Sequence, residues 1–236
     1  MIISANLKTN LTRKETNEYL AKLENYLNDS VNQDIFVFPA MSSLDSHSAR
    51  VVVGAQNAYP TKNGAFTGEI GLDHLQEFDI KTILIGHSER RHILGETQGE
   101  IAKKFEYYKE LGFKIVYCIG ESLEIRKAGL DELLKYLDSQ FEGIDVNYDN
   151  LIVAYEPVWA IGTGVTPTLE EIEETHKELK SKTSAPILYG GSVKANNAKD
   201  VLSLKSVDGV LVGSAALKVE DFFSMINDAQ DIEDRV

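Results

Sequence analysis

Short apolar runs recur along the chain at residues 2–7, 34–38, 51–56, 82–87, 114–119, 151–155, 186–189 and 209–212. Most are near-continuous Val, Ile and Leu rather than an alternation of apolar and polar positions, the pattern of a strand buried on both faces. Between these runs the period becomes helical. Leu20, Leu23 and Leu27 share one helix face, as do Ile101, Phe105, Tyr108 and Leu111, and then Leu133, Leu134, Leu137 and Phe141. Thr168 and Glu171 have capping-box spacing and predict a helix running to about Lys180; Thr97 and Glu100 repeat the signal ahead of Ile101.

Strand then helix, eight times within 236 residues, predicts an α/β fold, a single (β/α)8 TIM barrel. A doubly wound sheet shares the alternation, but eight units without a composition break favour closure. Neither a linker nor a low-complexity tract interrupts the chain, so residues 1–236 read as one barrel domain. The acidic stretch 228–236 reads as a solvated end.

Charge and composition narrow the partners. A net charge of −13 repels nucleic acid and anionic lipid, so neither is expected as a partner. It also gives a phosphorylated substrate no long-range attraction, so a phosphate site must be built locally from backbone N–H groups and a placed lysine. The single cysteine, Cys118, excludes an intrachain disulfide and a cysteine metal cluster, and reads as an inert buried residue. No run approaches the ~18 apolar residues of a membrane span. The first residues lack a basic segment and a long apolar run, which makes a cytoplasmic location the expectation.

In a barrel of this kind, chemistry belongs at the C-terminal strand ends. The first run ends in Asn6-Leu7-Lys8, the fourth in Gly86-His87-Ser88-Glu89-Arg90 and the sixth in Tyr155-Glu156-Pro157. The seventh ends in Gly190-Gly191-Ser192 and the eighth in Gly213-Ser214. Titratable groups thus cluster on three strands and Gly/Ser backbone on two, as a phosphate site beside an acid–base site requires. Taken singly, Glu156 reads as a capping or paired carboxylate, His87 as a structural histidine and Gly190-Gly191 as a turn. Their agreement across five strand ends carries the functional reading. Gly162-Thr163-Gly164 does not complete a dinucleotide fingerprint, because Pro167 stands where the third glycine belongs. No His/Asp/Glu cluster has metal-ligand spacing.

The string Tyr155-Glu156-Pro157-Val158-Trp159-Ala160-Ile161-Gly162-Thr163-Gly164 resembles the mobile-lid segment of the triosephosphate isomerase family. Asn6-x-Lys8, Ile85 to Arg91, Cys118-Ile119-Gly120-Glu121, Tyr189 to Val193 and Asp208 to Gly213 resemble its other signatures, in the same order. Gln56-Asn57 and the stretch 64–69 resemble its subunit-interface loop. The resemblance covers essentially the whole chain. It implies Glu156 as the base, His87 as a neutral electrophile and Lys8 as the source of positive charge, positioned by Glu89. It also implies substrate contacts from Asn6 and from backbone N–H groups at Gly162, Ser192, Gly213 and Ser214. By the same resemblance the substrate is a small phosphorylated three-carbon sugar, the assembly is a homodimer with Thr67 against the neighbour's Asn6 and Lys8, and no cofactor or metal is needed.

The sequence departs from the family in three places. Leu7 and Thr9 stand where Trp and Met are common, with little consequence expected. Ser214 replaces a usual glycine, and is expected to fit because the position is helical. The lid's exit hinge reads Val165-Thr166-Pro167, and Pro167 has no N–H to donate to the Tyr189 hydroxyl, the hydrogen bond that the resemblance would place there. Closure is therefore expected to lean on Ser192 and a proline-stiffened hinge. The alternatives are a barrel isomerase for a longer sugar phosphate and a catalytically retired barrel used as a binding protein. Intact Lys8, His87 and Glu156 argue against the latter.

Overall fold

The computed structural model describes residues 1–28, 31–44, 48–161 and 166–233. Its strands are β1 (Ile2–Asn6), β2 (Asp34–Phe38), β3 (Val52–Val53), β4 (Thr82–Ile85), β5 (Lys114–Ile119), β6 (Leu151–Tyr155), β7 (Ile187–Tyr189) and β8 (Gly209–Val212). Helices α1 (Arg13–Tyr26), α2 (Leu72–Glu77), α3 (Ser88–His92), α4 (Gln98–Glu110), α5 (Leu123–Lys127), α6 (Leu130–Ser139), α7 (Leu169–Lys180), α8 (Ala198–Leu202) and α9 (Val219–Glu233) connect them. After β2 the described residues form only a 3-10 turn, Met41–Ser43, where the alternation predicts a helix.

All strand pairs are parallel, in the order β3-β2-β1-β8-β7-β6-β5-β4. The ends meet through a bridge of Ala55 to Ile83, with Ala55 N–H donating to the Thr82 carbonyl at 2.9 Å and Leu84 N–H to the Ala55 carbonyl at 2.8 Å. That closure completes the (β/α)8 barrel. β3 is shorter than its apolar run, and beyond it the Gln56 side chain donates to the carbonyls of Lys8, at 2.7 Å, and Phe38, at 2.9 Å.

Two buried layers explain the near-continuous apolar runs. Phe36, Phe38, Leu84, Val116, Cys118, Ile152, Ala154, Leu188 and Leu211 cluster with Ile2 inside the barrel. The intervening residues, among them Ile35, Ile83, Ile115, Val153, Ile187 and Val210, cluster with Leu20, Leu23, Ile101, Phe105, Tyr108, Leu133 and Leu137 of the surrounding helices. The period of two sends alternate residues to different apolar layers, so neither face needs polar positions. Leu111, at the end of its helix face, is instead exposed.

Both predicted capping boxes form, Thr97 with Glu100 and Thr168 with Glu171. The expected solvated end at 228–236 is corrected: α9 continues to Glu233. Phe222, Met225, Ile226 and Ala229 make a buried stripe at helical spacing that the intervening acidic residues conceal. Glu233 accepts a hydrogen bond from the Met1 amino group and one from Gln33 Nε2 at 2.9 Å. Residues 234–236 lie outside the described residues. No helix of the described residues is long and apolar enough to cross a membrane.

Candidate active site

The C-terminal strand ends surround a cleft of about 830 Å³. Asn6 closes β1, and its Oδ1 accepts the Lys8 N–H at 3.0 Å. That turn holds Lys8 at φ +53°, a left-handed conformation a side chain adopts only when its surroundings enforce it. The Gln56 hydrogen bond described above fixes the Lys8 carbonyl. The Lys8 Nζ meets Glu89 Oε1 at 2.5 Å.

His87 follows β4 and caps α3, its Nδ1 accepting the Glu89 N–H at 3.2 Å. An accepting Nδ1 carries no proton, so the neutral ring holds its proton on Nε2. Nε2 lies 3.1 Å from Glu156 Oε1. Glu156 follows β6, is 2% exposed, and takes the Ser88 N–H on Oε2 at 3.3 Å. Burial alone would raise its pKa, but His87, the Ser88 N–H and Lys8 outweigh burial and hold it below the ordinary carboxylate range. Burial pushes the His87 pKa down and the Glu156 and Glu89 carboxylates more than offset this in favour of the imidazolium, whereas the Glu89 N–H held on Nδ1 works the other way, toward the neutral ring. The cleft therefore keeps an ionised carboxylate in a dry wall, facing the Nε2 donor.

The other end of the cleft is backbone. Gly190 N–H donates to the Tyr155 carbonyl at 2.7 Å, tying the Gly-Gly turn to β6. The Ser192 hydroxyl donates to the Ala160 carbonyl, and Asn197 Nδ2 donates to the Ser192 carbonyl at 3.1 Å. Gly213 and Ser214 line the cleft beside them. Ser214 opens a 3-10 turn, Ser214–Leu217, and is not among the residues of positive φ, which explains why a Cβ fits there. Asn6, Lys8, His87, Glu156, Ser192, Gly213 and Ser214 thus share one cavity. Gly162 lies outside the described residues. Among the described residues no group of three or more His, Cys, Asp or Glu side chains is placed to hold a metal ion.

The family model for triosephosphate isomerase matches residues 1–229. The chain belongs to the triosephosphate isomerase family. It is 63% identical over 234 residues to the triosephosphate isomerase of Sulfurimonas denitrificans, covering 99% of this chain and 98% of that one. Its identity is 56% over 229 residues to that of Wolinella succinogenes, covering 96% and 99%, and 57% over 227 residues to that of a Sulfurovum species, covering 96% and 99%.

Four residues around this triosephosphate isomerase family cleft escape a reading by strand ends. Ser88 contributes through its backbone N–H, which no side-chain pattern reveals. Gln56, which the sequence places only within an interface string, supports Lys8 from beneath. Glu121 is fully buried, and its Oε1 accepts Trp159 Nε1 at 2.9 Å and the Tyr155 hydroxyl at 3.1 Å. Burial raises its pKa, against those two donors. The signal for it is a carboxylate closing the Cys118-Ile119-Gly120-Glu121 string. Asp221, in the first turn of α9 and seven residues beyond Ser214, also lines the cleft, outside every motif. The Tyr189 hydroxyl is buried without a hydrogen-bond partner among the described residues, and Pro167 is buried.

Proposed function

We propose that this protein interconverts D-glyceraldehyde 3-phosphate and dihydroxyacetone phosphate through an enediolate. The carrying observation is the Glu156 carboxylate 3.1 Å from His87 Nε2 in a cleft whose far end is Gly/Ser backbone. Glu156 removes the proton from one carbon beside the carbonyl and returns it to the neighbouring carbon. The reaction is redox-neutral, and the aldose and ketose differ only in where two hydrogens sit. Triosephosphate isomerases pair a glutamate base with a neutral histidine, and the same roles are carried over from the family to Glu156 and His87. His87 donates from Nε2 to the oxygens on which charge develops, while Lys8 and Asn6 add a positive charge and a hydrogen bond. Backbone N–H groups at Gly162, Ser192, Gly213 and Ser214 hold the phosphate.

A carbanion equivalent next to a phosphate ester loses phosphate readily in water, so the site needs a cover. The segment entered at Pro157 and Trp159 supplies it, and Pro167 stiffens its exit. We assign the whole chain to one catalytic domain acting in the cytoplasm in glycolysis and gluconeogenesis. The assembly is a homodimer, consistent with Phe66, Ile93 and Leu94 being exposed apolar side chains. Lys8, His87 and Glu156 facing one cleft weigh against a retired binding barrel.

Turnover in deuterium oxide followed by NMR tests the mechanism. Deuterium should enter the carbon-bound position as substrate and product interconvert, and Glu156→Gln should abolish both exchange and interconversion. Exchange that survives in Glu156→Gln would remove Glu156 from the role of base.

A further inference from the structure

The phosphate end of the cleft carries a charge that the proposed reaction does not use. Asp221 lines the same cavity as Ser192, Gly213 and Ser214, and so does Lys194. The remaining charged groups in the lining are Glu156, which faces His87 at the reacting end, and Lys8, which pairs with Glu89 and whose Nζ lies 3.8 Å from where a Cβ on Gly213 would stand. Lys8 and Lys194 therefore bring positive charge to this part of the cleft alongside the backbone N–H groups, and Asp221 is the carboxylate set against them. Asp221 is half-buried on a helix fixed by buried Phe222 and Met225. An anion bound beside a carboxylate is repelled in proportion to its own charge, and salt screens that repulsion.

We propose that Asp221 is a specificity-determining residue whose carboxylate weakens anion binding at the phosphate end and biases the cleft against ligands more highly charged than a single phosphate. The inference takes the substrate's identity from the proposed function, but its effect on anion binding is independent of turnover. Its value to an isomerase is release: the carboxylate offsets part of the attraction from Lys8, Lys194 and the backbone N–H groups, so the phosphate leaves readily as product.

The test compares wild type, Asp221→Asn and a control, Glu110→Gln, which removes an exposed carboxylate elsewhere on the surface. Calorimetry at low salt and pH near 8 measures binding of inorganic phosphate and of pyrophosphate. Asp221→Asn should tighten phosphate about threefold and pyrophosphate about fivefold, with both gains fading toward none at about 0.5 M salt. The KM for glyceraldehyde 3-phosphate should fall about threefold at low salt. Unchanged anion affinities, gains equal for both anions, or the same gains in Glu110→Gln would each overturn the proposal. Wild type that binds phosphate but does not turn over would refute the proposed function and leave the Asp221 comparison standing.

Discussion

Gly190→Ala places the smallest possible steric probe against the base. Gly190 does not have a positive φ, so alanine meets no backbone penalty. Its Cβ would instead stand 2.7 Å from Glu156 Cγ, 3.3 Å from the Tyr155 carbonyl oxygen and 3.5 Å from Glu156 Oε1. Restoring ordinary contact requires the Glu156 side chain to retreat by roughly 0.8 Å, since carbon atoms settle at about 3.5 Å. The backbone cannot share the movement. Glu156 N–H is tied to the Ile119 carbonyl at 2.7 Å, and a Cβ on Gly120 would come within 1.7 Å of the Glu156 carbonyl oxygen, so β5 and β6 are in close contact there. The carboxylate therefore leaves its position opposite His87. A misplacement of about 1 Å costs on the order of 100-fold, so kcat/KM should fall about 30- to 100-fold, or about 2 to 3 kcal/mol of transition-state stabilisation. KM should stay within about threefold, because Ser192, Gly213 and Ser214 are untouched. Overpacking should cost about 1 to 3 kcal/mol of stability. Steady-state kinetics with urea unfolding on the same preparation separate the two effects. A folded Gly190→Ala protein with kcat within about twofold of wild type would refute the claim that this wall sets the base's position.

Three further outcomes follow from buried groups. Tyr189→Phe removes a hydroxyl that has no partner among the described residues, so kcat should change less than about twofold and stability should hold or rise by up to about 1 kcal/mol. A large fall in kcat would mean that the hydroxyl latches the lid at another group. His176 is buried between the Tyr155 and Tyr189 rings, and burial lowers its pKa from 6.5 to about 4. A depressed folded-state value means that the unfolded chain binds the extra proton first. This contribution is complete above pH 6.5 and is lost as pH falls toward 4, in total about 3 kcal/mol. Urea titrations across that window should show the loss, and His176→Asn should flatten it; an identical slope in the variant would contradict the assignment. Cys118 is buried inside the barrel and burial raises its thiol pKa, so a thiol reagent should label it only on unfolding. Fast labelling of the native protein would contradict the packing.

The barrel is legible because its strands obey one local rule. Runs such as 151–155 are apolar at every position since both faces are buried, and the capping boxes at Thr97 and Thr168 announce their helices within four residues. The tail misleads because its composition hides its period: the acidic residues of 228–233 follow and flank Phe222, Met225, Ile226 and Ala229, whose spacing docks α9. At the site, side chains that follow strands directly, such as His87 and Glu156, can be found by position alone. What acts through the backbone or across the fold cannot. The Ser88 N–H on Glu156 and the Gln56 support of Lys8 depend on contacts between residues far apart in sequence, and Asp221 reaches the cleft from the helix after the last strand.

The central claim is that Glu156 and His87 perform proton transfer on a triose phosphate with protein groups alone. The most direct measurement is a coupled assay of metal-stripped protein that follows glyceraldehyde 3-phosphate and dihydroxyacetone phosphate in both directions, with Glu156→Ala alongside. The account predicts rapid turnover unaffected by chelator and reduced at least about 1,000-fold in the folded variant, on the order of 4 kcal/mol. No turnover by folded wild type, or comparable turnover by Glu156→Ala, would contradict it.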